Sequence, residues 1–353
     1  MYRKPASLAD HKTAEILPTS RWGVRKEQEE TMEHEIAKYR HDLPLLRGGT
    51  FLSDGGMETA LIFHEGAELP HFASFVLLAS PEGRRQLLRY YTRYLEIARC
   101  HGTGFVLDTA TWRANADWGK KLGYDGEALN QVNRDAVYLL TELRAQYERP
   151  QAPMVFNGVI GPRGDGYKAG RMNAEEAEEY HSAQVAAFAD SEADMVTAVT
   201  MTNVQEAIGV TRAAKRHGMP CAISFTVETD GRLVTGRSLQ EAIETVDAET
   251  EGYPHYYMIN CAHPSHFESS LDQDQAWVRR IGGIRANAST KSHAELDESE
   301  TLDIGDMSDL ARRYRSLTGR LPKLRVLGGC CGTDHRHIAA ICEACLPPTA
   351  LSA

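Results

Sequence analysis

The stretch "VLGGCCGTDHRHI", residues 326–338, reads as one structural unit. An apolar run, "LRVLGGCC" (324–331), has the length and composition of a buried strand. It ends in a glycine-flanked turn, and Asp334 then stands where an N-cap opens a helix over 334–345. Cys330 and Cys331 close the strand side by side. A disulfide between neighbours strains the peptide that joins them. A metal site, a redox site and two buried core thiols remain as readings.

The same unit recurs along the chain. Apolar runs with turn residues close by lie at 50–57, 104–111, 153–161, 194–201, 220–227, 256–263, 282–289 and 324–331. Amphipathic segments separate them. Residues 80–102 open on Ser80-Pro81 and stop at Gly102; 173–193 open on Asn173 with Glu176 three residues on; 203–219 end on Lys215, Arg216 and His217; 238–250 open on Ser238 with Glu241. Weaker helical signals lie at 126–148, 272–281, 306–318 and 334–345. Eight strands alternating with eight helices point to an α/β protein of the TIM-barrel class, (β/α)8, over 49–347. A doubly wound open sheet is the alternative, disfavoured by the lack of a dominant Gly-rich phosphate loop after the first strand. Residues 1–48 read as an N-terminal extension, partly helical or disordered, and 348–353 as a C-terminal tail.

The bulk composition narrows the partners. The 353 residues carry a net charge of −10 and no basic stripe, which argues against nucleic acid and anionic membranes. No stretch nears the roughly 18 uncharged apolar residues of a membrane span, and the first 30 residues do not read as a signal peptide. The seven cysteines, an odd number, suit reduced thiols in the cytoplasm better than a disulfide framework. A homo-oligomer is compatible with the chain.

In a (β/α)8 barrel, chemistry sits at the C-terminal ends of the strands. Cys261 ends the sixth run, and Cys330 and Cys331 end the eighth. Three thiols converging there suit Zn²⁺ with one coordination position open, the mark of a catalytic rather than a structural zinc. Core thiols are the competing reading, and it fits Cys100 and Cys221. Cys342 and Cys345 lie one helical turn apart, a spacing that suits helix packing better than redox chemistry. His263, His266, His335 and His337 follow the cysteines as candidate ligands or supporting groups. After the first strand, "DGGMET" sets Asp54 and Glu58 where carboxylates could hold an ammonium, with Gly55 and Gly56 letting the backbone approach a ligand. Trp112, Trp118 and Tyr167 lie in loops that could reach the site with aromatic faces.

Taken together, "LSDGGMET", "ISFTVETDGRLVTGRSLQEAI", "INCAHPSHF" and "LGGCCGTDHRHI" resemble the homocysteine S-methyltransferase family in the same order along residues 49–346. The resemblance implies a zinc-binding barrel whose thiolate ligands are Cys261, Cys330 and Cys331, with Asp54, Gly55 and Gly56 helping to hold the acceptor. Asp108 and Asn260 join Glu58 as further candidate substrate-binding residues at strand ends. The implied partners are a small thiol acceptor, homocysteine or a relative, and a sulfonium or quaternary ammonium methyl donor. Two departures stand out. Val199 in "TAVTMTN" stands where many members have a strand-4 glutamate, and Asp108-Thr109-Ala110-Thr111 replaces Glu-Thr-Asn-Thr. A zinc hydrolase or lyase, and a non-catalytic thiol or metal-binding protein, remain open at this point.

Overall fold

The computed structural model describes residues 37–346. Eight parallel strands form a closed barrel in sequential order, β1 (Phe51–Leu52), β2 (Gly104–Asp108), β3 (Met154–Ile160), β4 (Met195–Met201), β5 (Cys221–Phe225), β6 (Tyr256–Asn260), β7 (Ile281–Ala286) and β8 (Val326–Gly329). Closure is the pairing of β8 with β1, Phe51 opposite Val326 and Leu52 opposite Leu327. Every strand falls inside an apolar run seen in the sequence, except that β7 starts one residue before its run. Nearly all strand residues are buried, as strands covered on both faces require.

The long helices fall in the expected helical segments, and those opening on Ser80, Asn173, Ser238 and Asp334 start where these caps predict. They are α3 (Pro81–His101), α5 (Gly126–Tyr147), α6 (Ala174–Ala189), α7 (Val204–Arg216), α8 (Leu239–Thr250), α11 (Met307–Arg320) and α12 (His335–Cys345). Ser80 Oγ accepts from Gly83 N, and reciprocal capping boxes join Asn173 to Glu176 and Ser238 to Glu241. Gly102, at φ 63°, closes α3 in the left-handed conformation that glycine adopts at little cost. Shorter helices carry α1 (Pro44–Arg47), α2 (Met57–Phe63), α4 (Ala116–Lys121), α9 (Pro264–Phe267) and α10 (His293–Asp297). The segment read as a helix at 272–281 is instead a 3₁₀ turn, Ala276–Arg280, running directly into β7. Its only buried residues, Trp277 and Val278, are adjacent, so it has no apolar face of helical period to pack.

Inside the barrel, two layers stack. The floor is apolar: Phe51, Val106, Val155, Met195, Tyr256, Met258 and Val326 pack together, and Leu43 and Leu45 close it from below. Residues 37–48 of the expected extension thus plug the N-terminal end of the barrel; the rest of that extension and the C-terminal tail from 348 lie outside the described residues. Above the floor runs a polar belt. Thr197 Oγ1 donates to Asn157 Oδ1, Asn157 Nδ2 donates to Asp108 Oδ1, and Ser224 Oγ donates to Asn260 Oδ1. The apolar floor supplies cohesion, and the belt carries polar chemistry up to the open end.

Asp194, just before β4, ties these parts together. Its buried carboxylate accepts from Phe156 N at 2.8 Å and from Tyr39 N at 2.7 Å, and it pairs with Arg144 of α5. Burial pushes the Asp194 carboxyl up, against the opposing pull of Arg144. Removing one partner of such a pair strands the other charge in the interior. The variant Arg144→Met is therefore expected to lose about 3 kcal/mol of stability, measured as a shift in urea midpoint at unchanged slope. A loss well under ~1 kcal/mol, in the range of an exposed pair, would refute the role given to it.

Candidate active site

Cys261 directly follows β6, and Cys330 and Cys331 directly follow β8. Their three sulfur atoms lie within 4.8 Å of one another. Strand β7 holds both segments in place: Cys261 N donates to Arg285 O at 3.1 Å, Cys330 N to Ala286 O at 2.8 Å, and Ala288 N to Cys331 O at 3.1 Å. Two of the sulfurs, those of Cys261 and Cys330, are joined as a disulfide across a Cα separation of 5.3 Å. This departs from the expectation of reduced thiols throughout. The cause is local, since the ends of β6 and β8 bring two thiols within bonding reach without any wider framework. Cys331 keeps an unbonded thiol, which burial pushes up in pKa while a hydrogen bond with Tyr167 opposes that shift.

The backbone bends sharply here. Cys261 has φ 53° and Thr200 φ 61°, both in the left-handed region that a β-branched or sulfur-bearing residue seldom occupies. Strain of this kind persists only where the surroundings enforce it. Asn260 enforces the Thr200 turn, accepting from Thr200 N at 2.9 Å and donating to Thr200 Oγ1 at 3.0 Å, with its amide 3.9 Å from Cys330 Sγ. Three groups converge on the Cys261 carbonyl: Asn287 Nδ2 at 3.0 Å, His293 Nε2 at 2.6 Å and Thr226 Oγ1 at 3.3 Å. His293 Nδ1 in turn meets Glu228 at 3.0 Å. Neither Thr200 nor His293 stood out in the sequence, because nothing in a threonine or a loop histidine signals that it braces a distant cysteine.

Gly55 and Gly56 line the site cavity and also admit a neighbour from the chain itself. A Cβ at Gly56 would lie 2.5 Å from the Cys330 carbonyl oxygen, and one at Gly55 2.8 Å from that of Thr333. The backbone approached is the chain's own β8 turn. Beside them, Arg285 of β7 bridges Asp54 and Asp108. The second oxygen of each carboxylate is also engaged, Asp54 Oδ2 by Tyr90 Oη at 2.9 Å and Asp108 Oδ1 by Asn157 Nδ2 at 2.6 Å. Arg285 was absent from the sequence candidates; an arginine inside an apolar strand run was the available signal. Glu58, on the first turn of α2, accepts from Ser74 Oγ at 2.8 Å.

Over the sulfurs stands Tyr167, from the loop 161–173. Its hydroxyl lies 3.6 Å from Cys331 Sγ, and its ring packs on His293 at 4.2 Å between centroids. The loop is tied down by Arg113 Nη1 to Gly164 O at 2.8 Å, by Arg163 N to Glu206 Oε1 at 2.7 Å and by Asn203 Nδ2 to Met172 O at 3.0 Å. Together these parts enclose a cavity of about 90 Å³ lined by the three cysteines, Asp54, Glu58, Asp108, Asn260, Phe72, Trp112, Tyr167 and Val199, among others. Trp118 does not line it and stacks instead on Arg113, which is held between Trp112 and Trp118 at 4.0 and 3.9 Å.

The four candidate histidines stay outside the sulfur cluster. His263 caps α9, His266 bonds to Thr290 O, and His337 donates to Ile304 O; His335 begins α12. Cys221 is buried in β5, Cys342 is buried and Cys345 half-buried on α12, and Cys100 is exposed at the end of α3. Asp334 anchors the turn after the cysteines. Burial pushes its carboxyl up, yet hydrogen bonds from His337 and Arg336 outweigh this and hold it well below the usual carboxylate range. A depressed folded-state pKa stabilises the protein above the unfolded carboxylate value of about 3.9, and that contribution is lost as pH falls below it. The variant Asp334→Asn keeps the N-cap and is expected to flatten the fall in melting temperature below about pH 4. An unchanged acid slope would contradict this.

Residues 51–345 match the family model described as homocysteine S-methyltransferase. The chain is 23% identical, over 83% of its length and 88% of the relative's, to a selenocysteine Se-methyltransferase of Brassica oleracea var. italica. Its fold resembles the homocysteine methyltransferase MmuM of Escherichia coli. The metallated form superposes with a TM-score of 0.66 at 20% identity, covering 84% of this chain and 96% of that one. The oxidised form gives 0.67 at 21%, covering 83% and 95%.

Proposed function

We propose, from the premise that this chain belongs to the homocysteine S-methyltransferase family, that it moves a methyl group from a sulfonium or quaternary ammonium donor to a thiol activated on zinc. The chain is a methyltransferase, and thiol methyl transfer is its general chemistry. The finer reading, homocysteine or a related thiol as acceptor and methionine or an analogue as product, rests on one observation. Three sulfurs from two strand ends meet at the mouth of the barrel within 4.8 Å.

That donor set fits zinc. At a Zn–S distance of about 2.3 Å, tetrahedral ligands lie about 3.8 Å apart, so the bonded sulfurs of Cys261 and Cys330 would move apart to hold the metal, in a cluster no wider than 4.8 Å. Cys261 and Cys330 can serve only as thiolates, so their disulfide must first be reduced. Bound zinc would lower the pKa of an incoming thiol and leave its sulfur nucleophilic at neutral pH.

The chain's own residues do the rest. Asn260 and the Cys261 carbonyl contacts fix the direction of the sulfurs. Tyr167 roofs the cluster and limits water. Trp112, Phe72 and Tyr167 offer π faces along the cavity on which a methyl-bearing cation can rest. In the transfer, the acceptor sulfur's lone pair forms the new S–CH₃ bond as the donor's C–S or C–N bond breaks toward the donor heteroatom. The thiol proton has already passed to solvent. Alignment of the two partners supplies most of the remaining rate.

Metal analysis tests this. After reduction and incubation with zinc, one zinc per chain is expected, and little or none without reductant. The variant Cys261→Ser is expected to lose bound zinc and to slow methylation of homocysteine by roughly 100-fold or more. Zinc-free protein that methylates thiols at the full rate would sink the reading.

A further inference from the structure

Three carboxylates face the cavity beside the cysteines: Asp54, Glu58 and Asp108. Their circumstances differ. Asp54 and Asp108 share the Arg285 guanidinium, and their other oxygens take hydrogen bonds from Tyr90 and Asn157. Both are spent inside the protein. Arg285 is itself anchored by Nε to Gly329 O at 3.1 Å, so this bridge ties β1, β2 and β7 to the β8 turn. Glu58 has no such partner. Its side-chain hydrogen bond comes from the neutral Ser74 hydroxyl at 2.8 Å, and it also feels the charge of the Arg113 guanidinium. The nearby Arg113 guanidinium lies between two tryptophans and donates to Gly164 O.

A carboxylate taken out of water without a counter-charge is costly. Burial pushes the Glu58 carboxyl up, against the opposing Ser74 hydrogen bond and the smaller pull of Arg113. A ligand cation placed against it would relieve that cost. The end of β4 offers nothing comparable. There the side chain facing the cavity is Val199, and Thr200 is consumed by Asn260.

The geometry points to Glu58 as the specificity-determining residue that receives the ammonium group of an amino-thiol acceptor, with Asp54 and Asp108 serving to position Arg285. This rests on the thiol-transfer reading above. The acceptor, rather than the donor, is the partner because Glu58 belongs to the segment that presses on the sulfur-bearing turn. Gly56 touches the Cys330 carbonyl, and Gly332 N donates to Thr59 Oγ1 at 3.3 Å. A short zwitterionic thiol can therefore place its sulfur at the cysteines and its ammonium at Glu58 within one small cavity.

Calorimetric binding to the reduced, zinc-loaded full-length protein tests this with three thiols: homocysteine, 3-aminopropanethiol, which lacks the carboxylate, and 4-mercaptobutanoate, which lacks the ammonium. The isosteric variant Glu58→Gln is expected to bind the first two about tenfold or more weakly, a loss of about 1.4 kcal/mol. It should bind 4-mercaptobutanoate within about twofold of wild type, and S-methylmethionine likewise. Equal losses for all three thiols, no loss for any, or a loss confined to S-methylmethionine would each overturn the assignment, and a thermal melt of the variant identifies misfolding as a cause of uniform loss. If the wild-type protein binds none of the thiols with zinc present, the thiol-transfer reading falls and the assignment with it. Preferential binding of 4-mercaptobutanoate by wild type overturns the assignment alone.

Discussion

Barrel closure is the constraint on which the site depends. The hydrogen bonds of Phe51 N to Arg325 O at 2.8 Å and Ser53 N to Leu327 O at 2.9 Å join the last strand to the first. They fix the β8 turn against the β1 turn, and β7 fixes it against the end of β6. Cysteines 69 positions apart in sequence then meet because the strands leave them no alternative. A site assembled this way draws its precision from the scaffold rather than from the loops, and the apolar floor below it supplies the cohesion.

Much of this was legible in the sequence because it is written in local chemistry. The eight strands announced themselves as apolar runs between turn residues, and Ser80, Asn173, Ser238 and Asp334 marked helix starts through the hydrogen-bonding habits of their own side chains. The metal-ligand candidates were legible through placement, since cysteines at two strand ends of a barrel have few ways of staying apart. The short helix α2 hid within "DGGMET" because two glycines suggest a turn. The segment 272–281 suggested a helix by composition alone, and its buried side chains never reach a helical period.

What the sequence withheld is contact between residues far apart along the chain. Arg285 looks like an odd residue in an apolar strand until Asp54 and Asp108 are seen on either side of it. The bond between Cys261 and Cys330 likewise depends on a Cα separation that no spacing encodes. Gly55 and Gly56 were read as room for a ligand; they line the cavity, and their missing Cβ atoms also make room for the chain's own carbonyls. Composition identifies which groups can act; only the closed barrel says which of them are already occupied.

The contact of Gly56 with the Cys330 carbonyl also bears on how such a pocket can diverge. At that contact backbone meets backbone, so Gly56 has no side chain to exchange without displacing a cysteine. The rest of the lining includes replaceable side chains, Glu58, Val199, Trp112 and Phe72. Selection for a new acceptor or donor thus acts on those side chains and not on the backbone contact. The chemistry of the sulfurs can be inherited unchanged while the choice of molecule drifts, and the two traits become separable units of variation within a single barrel.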